Sequence, residues 1–149
     1  MIPLRDQEII REKFAQELVG AVKLDHFTQR SSSLYIPGRE ECPTCDDTRQ
    51  IMEELAALSD KIKLTMHEFT EAREASAKLG VDKIPGIVIR GPANRAIKFY
   101  GIPSGHEFPG LVESIVDASR GKAELKPKTT RQLRKLKDDV WIQVLVTPT

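Results

Sequence analysis

The sequence predicts an α/β domain built on a four-stranded mixed sheet, on three observations. Two segments of alternating apolar residues, 22–28 and 61–69, flank a run with helical period, which reads as a β-α-β unit. Two further strand-like segments, 87–90 and 95–100, lie either side of Gly91-Pro92-Ala93-Asn94, a turn signal that joins them as a hairpin. The two cysteines of the chain, Cys42 and Cys45, stand at C-x-x-C spacing where the helix of the β-α-β unit opens.

Each element has its own signature. Residues 5–19 place Ile9, Ile10, Phe14 and Leu18 on one helical stripe, with Asp6 and Glu8 near the start and Gly20 as the stop. Val22–Thr28 follows as a strand, expected to resume at Leu34-Tyr35-Ile36 after the polar Gln29–Ser33. Beyond the turn signal Ile36-Pro37-Gly38 and the cysteines, Ile51, Met52, Leu55 and Leu58 recur at helical spacing, and that helix is expected to end near Ser59. Ile62, Leu64, Met66 and Glu68 then share one face of the second strand. A short helix is expected from Thr70, whose hydroxyl suits a cap, to Gly80. Pro85 stands at the threshold of the strand Ile87–Arg90, where a ladder donor can be lost. After the hairpin, Ser104 is the expected cap of a helix reaching about Arg120, with Glu107 at capping-box spacing and Phe108, Leu111, Ile115 and Val116 on its apolar side. Pro109 falls inside that run, so the helix either starts late or bends. Gly121 closes the unit.

Charge and composition narrow the function classes. Lys and Arg (23) nearly balance Asp and Glu (22), leaving a formal net charge of +1, so nothing points to nucleic acid or a polyanionic surface as partner. No apolar run approaches the ~20 residues of a membrane span. Met1–Asp6 lead straight into polar residues without the apolar core of a secretory signal, so a cytoplasmic location is expected. In that compartment a C-x-x-C pair is more often redox-active or metal-binding than a structural staple.

Cys42-Pro43-Thr44-Cys45 is expected at a helix start, where free backbone N–H groups and the positive end of the dipole favour a thiolate over a thiol. Pro43 suits a first helical turn, where its missing donor is not needed. Two cysteines at this spacing can close a disulfide, with Cys42 facing outward and Cys45 turned into the helix. Attack then falls to Cys42 and resolution to Cys45. Glu40 and Glu41, just before Cys42, oppose a thiolate electrostatically and are expected to be solvated. Zinc is the competing use of such a pair, but it needs about four ligands, and His26, His67 and His106 are scattered one to an element.

Cys42-Pro43-Thr44-Cys45 together with Ile84-Pro85 resembles thioredoxins and glutaredoxins. With Phe99-Tyr100-Gly101-Ile102-Pro103-Ser104-Gly105-His106-Glu107-Phe108 and Val116-Asp117-Ala118-Ser119-Arg120 added, the chain resembles the glutaredoxin-like protein disulfide oxidoreductases of archaea and bacteria over nearly its whole length. A more distant likeness is to the tandem module of bacterial peroxide-reductase flavoproteins. The resemblance implies a thioredoxin-like three-layer sandwich: a four-stranded mixed sheet with an N-terminal helix and a C-terminal helix–strand extension. It also implies dithiol–disulfide exchange with protein substrates, with no bound cofactor beyond a redox-active Cys42–Cys45 disulfide. A thioredoxin-reductase-like flavoprotein or glutathione would be the reductant. A cis bond between Ile84 and Pro85 is implied as well, directing backbone groups at an extended substrate strand. Pro43, Thr44, Ile84 and Pro85 are then the substrate-binding residues. Asp25 is the candidate buried acid beneath the disulfide, placed to take the Cys45 proton as an acid at a similar strand position is thought to do in thioredoxins. An exposed strand aspartate is the alternative. His106 receives no catalytic role, and Trp141 is expected to pack.

Two departures from the family pattern stand out. The loop Gln29–Glu41 is longer than thioredoxins generally carry, which bears on substrate access. Residues 1–121 read as one complete module, whereas 122–149 read as a linker helix, from about Thr129, and a strand like the first strand of a second module, with no second C-x-x-C. Val140, Ile142, Val144 and Val146 lie on one face of that strand and Trp141 and Leu145 on the other, so it needs a partner. The strand can extend the edge of its own module's sheet or pair with its copy in a second chain. The second is the favoured expectation, since a self-complementary edge needs no vacancy in the first sheet, and gives a homodimer through residues 139–147. Two other classes compete with the enzyme: a non-catalytic docking or scaffold module, and a metal-binding regulator.

Overall fold

The computed structural model describes residues 1–31, 38, 41–93, 95–121, 125–138, 140 and 142–145. Its elements run α1 (Leu4–Glu17), β1 (Val22–Thr28), α2 (Cys45–Ala56), β2 (Ile62–Glu68), α3 (Arg73–Leu79), β3 (Gly86–Arg90), β4 (Ala96–Tyr100), α4 (Glu107–Arg120) and α5 (Pro127–Leu133). The strands form one mixed sheet in the order β2-β1-β3-β4. β1 runs parallel to β2, from Val22 opposite Ile62 to Thr28 opposite Glu68, and antiparallel to β3, with Leu24 opposite Ile89 and Phe27 opposite Gly86. A parallel pair needs a crossover, which α2 supplies, whereas β3 and β4 close as an antiparallel hairpin.

Side-chain parity along β1 sorts the helices into layers. Val22 and Leu24 join Ile51, Met52 and Leu55 of α2, Ile10 and Phe14 of α1, and Leu111, Ile115 and Val116 of α4 in the larger core. Phe27 points to the other face, where it meets Val81, Val88 and the partly buried Ala75 and Leu79 of α3. The pairing of β1 with β2 is continuous. Lys23 and Asp25 therefore share the face of Phe27, and His26 and Thr28 share the face of Leu24. That alternation decides which residues can meet the cysteines.

Several element boundaries differ from the sequence reading, each for a local reason. The buried stripe of α1 is Ile10, Phe14 and Leu18; Ile9, about 100° round the helix, is 54% exposed. α2 ends at Ala56, and Leu58 is buried from the turn that follows. Thr70 does not cap α3, which starts at Arg73 because the N–H groups of Glu71 and Ala72 both turn back to the carbonyl of Glu68. Ser104 contributes its carbonyl rather than its hydroxyl, accepting from the Glu107 N–H at 3.2 Å. α4 thus starts late, at Glu107, and Pro109 falls in its first turn, where a missing N–H costs nothing.

Two glycines are held by geometry. Gly80 closes α3 in the left-handed region, at φ 62° and ψ 45°. Gly80→Ala is expected to cost about 1 kcal/mol in urea unfolding, since a side chain disfavours that conformation. Gly91 brings the end of β3 against α4 so closely that a Cβ there would lie 1.7 Å from the Ala118 carbonyl oxygen.

The tail departs from expectation. α5 opens with a proline at its first position, as helix starts tolerate, but among the described residues no strand follows it. Val140, Ile142, Val144 and Leu145 are 60–84% exposed, since backbone pairs into a strand only where a partner edge is present. The expected strand segment Leu34-Tyr35-Ile36, and Glu40 and Trp141, lie outside the described residues.

Candidate active site

Cys42 and Cys45 are joined as a disulfide with their Cα atoms 5.5 Å apart. The helix begins at Cys45 rather than at Cys42, which corrects the sequence reading by three residues. Thr44, at φ −109° and ψ 3°, has the backbone of the third residue of a tight turn, and the Cys45 N–H closes that turn on the Cys42 carbonyl at 3.3 Å. Pro43 occupies the second turn position, which favours proline, and is exposed. The Thr48 hydroxyl donates to the Thr44 carbonyl at 2.7 Å and fastens the first turn of α2. Cys45 is 1% exposed whereas Cys42 is half-buried, so an incoming group meets Cys42 first. Glu41, Asp46 and Asp47 are exposed around the pair.

Beneath the disulfide lies the carboxyl end of β1. The Thr28 hydroxyl reaches the Cys45 carbonyl at 3.5 Å. Next on that face is His26, fully buried, with Nδ1 3.3 Å from the carbonyl of Gly86. A carbonyl only accepts, so Nδ1 carries the hydrogen and Nε2 is left as a lone-pair acceptor. Nε2 is buried and has no hydrogen-bond partner among the described residues. Burial pushes the imidazole down to about 4, against the opposing influence of the Gly86 bond. The Ile84–Pro85 peptide bond is cis. The Pro85 carbonyl accepts from the Gly101 N–H at 2.9 Å and the Gly86 carbonyl is held by His26, so β4 and β1 both tie down this loop. Since Gly86 lies opposite Phe27, the cis bond and the disulfide sit at the same end of the sheet. A groove of about 240 Å³, lined by Thr28, Arg30, Arg49, Glu53, Met66 and Glu68, runs beside α2.

Asp25 is not part of this arrangement. Its parity places it on the α3 face, where one carboxylate oxygen lies 2.9 Å from Nε2 of His67 and the other accepts from Arg90 at 2.5 Å. His67 also stacks on Phe27, ring centroids 4.5 Å apart. Asp25 is thus a buried partner of two cations or cation formers, on the side of the sheet away from Cys45. Asp25→Asn is expected to cost about 2 kcal/mol in stability, discounted because Arg90 keeps about a quarter of its side chain in water, and to leave disulfide exchange by the folded protein unchanged. Urea unfolding and an exchange assay check the two halves. His26 was legible in principle: a strand that turns Val22 and Leu24 toward the helix must turn His26 the same way.

The family model of the thioredoxin domain matches residues 35–113. This chain belongs to the thioredoxin-domain family. The chain is 32% identical over 89 residues, 60% of its length, to the F component of alkyl hydroperoxide reductase from Xanthomonas campestris pv. phaseoli, of which it covers 15%. Among solved structures it is similar to a protein disulfide oxidoreductase from Aeropyrum pernix (TM-score 0.74, 24% identity), covering 91% of this chain and 55% of that one. The N-terminal domain of the alkylhydroperoxide reductase AhpF from Enterococcus faecalis is similar too (TM-score 0.73, 24% identity), with 91% and 61% covered. The chain therefore spans little more than half of those structures. Among the described residues no group of three or more His, Cys, Asp or Glu is placed to hold a metal ion, and no helix is long and apolar enough to cross a membrane.

Proposed function

We propose that this thioredoxin domain is a thiol–disulfide oxidoreductase that exchanges disulfides with protein substrates through Cys42 and Cys45. The observation that carries the reading is the asymmetry of the pair: a disulfide in the turn that opens α2, with one sulfur accessible and the other buried. In the reducing direction, the Cys42 thiolate attacks a substrate disulfide, forms a mixed disulfide and expels one substrate thiolate. Cys45 then attacks the Cys42 sulfur, expelling the second substrate thiolate and leaving the Cys42–Cys45 bond. The substrate gains two electrons and the protein loses two. Pro43 and Thr44 beside the accessible sulfur, and Ile84 and Pro85 at the same end of the sheet, are the proposed substrate-binding residues, receiving an extended segment by short β-augmentation.

Within this reading the glutaredoxin-like protein disulfide oxidoreductases are the proposed subtype, a flavoprotein reductase or glutathione the proposed reductant, and the cytoplasm the proposed location. The likeness to the F component of alkyl hydroperoxide reductase supports a reductase protein as the electron source. Insulin reduction with dithiothreitol, together with the reduction potential of the pair, tests the proposal. A pair that dithiols do not open would leave a docking module instead. For the tail we propose that residues 122–149 start a second module whose strand pairs across a homodimer. Light scattering on the full chain is expected to report a dimer, and a monomer at micromolar concentration overturns that assembly.

A further inference from the structure

His26 is a buried titratable group that the exchange scheme leaves unused, on the sheet face that the disulfide-bearing helix covers. It lies on the face of β1 that meets α2, one place along that face from Thr28, whose hydroxyl touches the Cys45 carbonyl. Its Nδ1 hydrogen is committed to Gly86, which leaves the Nε2 lone pair unmatched among the described residues. An unmatched buried acceptor is costly. The structure holds the disulfide closed, and in that state Cys45 has no hydrogen to donate. Reduction creates one such donor, on the buried sulfur at this end of the sheet.

We propose that His26 is the acceptor for the thiol hydrogen of reduced Cys45, a positioning residue whose Nε2 is unmatched only while the disulfide is closed. The inference rests on the opening and closing of the pair proposed above. Its consequence is chemical asymmetry. A hydrogen bond to the neutral form keeps Cys45 a thiol, so the charge of the reduced pair settles on Cys42, the accessible nucleophile. Arg49 of α2, the helix that covers this face, and His67 of β2, across the sheet on the α3 side, both disfavour an imidazolium, which leaves the ring an acceptor at neutral pH.

Nitrogen-15 spectra of the full, unmodified chain, before and after reduction by a chemical dithiol, test this without a substrate. On reduction the Nε2 resonance is expected to move in the direction of a hydrogen-bonded acceptor while Nδ1 stays in place. An Nε2 resonance that is identical in the two states, or one that carries its own hydrogen, overturns the proposal. Because only the pair is opened, the result stands whether or not protein disulfides prove to be the substrate. A second measurement uses Cys42→Ser, with Cys45 as the single thiol, and follows its alkylation against pH. Adding His26→Leu is expected to shift the midpoint to lower pH and so raise the thiolate fraction near neutrality about fivefold, as loss of one hydrogen bond of ordinary net strength implies. A merely loosened fold would raise the rate at every pH and leave the midpoint where it was, and that outcome overturns the assignment.

Discussion

Cys42→Ser is expected to reduce insulin-disulfide exchange to the uncatalysed level, while Cys45→Ser still attacks and accumulates as mixed disulfides with its substrates. The two outcomes follow from burial. Cys42 is the sulfur that an incoming disulfide can reach, and without it no bond to the substrate forms. Cys45, 1% exposed, is confined to the second step, so its loss stalls the cycle after the first. Gel analysis under non-reducing conditions, with each variant incubated with oxidised insulin, reads both results. Equal trapping by the two variants would mean that the sulfurs are equally accessible, and would remove the basis for assigning attack and resolution.

Acid destabilisation that depends on His26 is the second large effect. In the folded chain the imidazole titrates at about 4, against an ordinary value of 6.5, because burial penalises its charged form. Between those values the unfolded chain holds a proton that the folded chain lacks, so stability rises with pH through this window. The contribution is complete above about pH 6.5 and is lost progressively as the pH falls toward 4. From the shift, the folded chain is expected to be about 3 kcal/mol less stable at pH 4 than at pH 8 on account of this one group. Urea unfolding across that range checks the sign, and His26→Leu separates it from the carboxylates. The variant keeps their titration and loses the slope between pH 6.5 and 4. A slope that survives in His26→Leu assigns the acid sensitivity elsewhere.

Much of this molecule was legible from local pattern. The alternation of residues 22–28 and 61–69, the hairpin signal around Pro92 and the helical spacing of Ile51, Met52 and Leu55 each reflect a period that the backbone imposes on any half-buried segment. The element order followed, and with it the mixed sheet. The C-x-x-C pair was legible as a disulfide for the same reason: three residues of separation hold two Cα atoms within bonding range wherever the chain turns. Where the helix starts was not, because a turn closed from Cys45 back to Cys42 competes with one more residue of helix, and both satisfy the same proline.

Asp25 shows where sequence reasoning ends. A carboxylate just before the end of a central strand suits a buried acid, yet a shift of one position along a strand reverses the face. Only the packing of Leu24 against α2 and of Phe27 against α3 set that parity, putting Asp25 with His67 and Arg90 and His26 on the face that α2 covers. The partners of Asp25 are 42 and 65 residues away in the chain, and no local spacing announces them. The sequence by itself therefore determined the order of the elements and the residue types able to do redox chemistry, since both are set over distances of a few residues. The tertiary structure alone decided which of two neighbouring titratable groups shares the face of the disulfide-bearing helix, because that depends on which helix covers each face of the sheet.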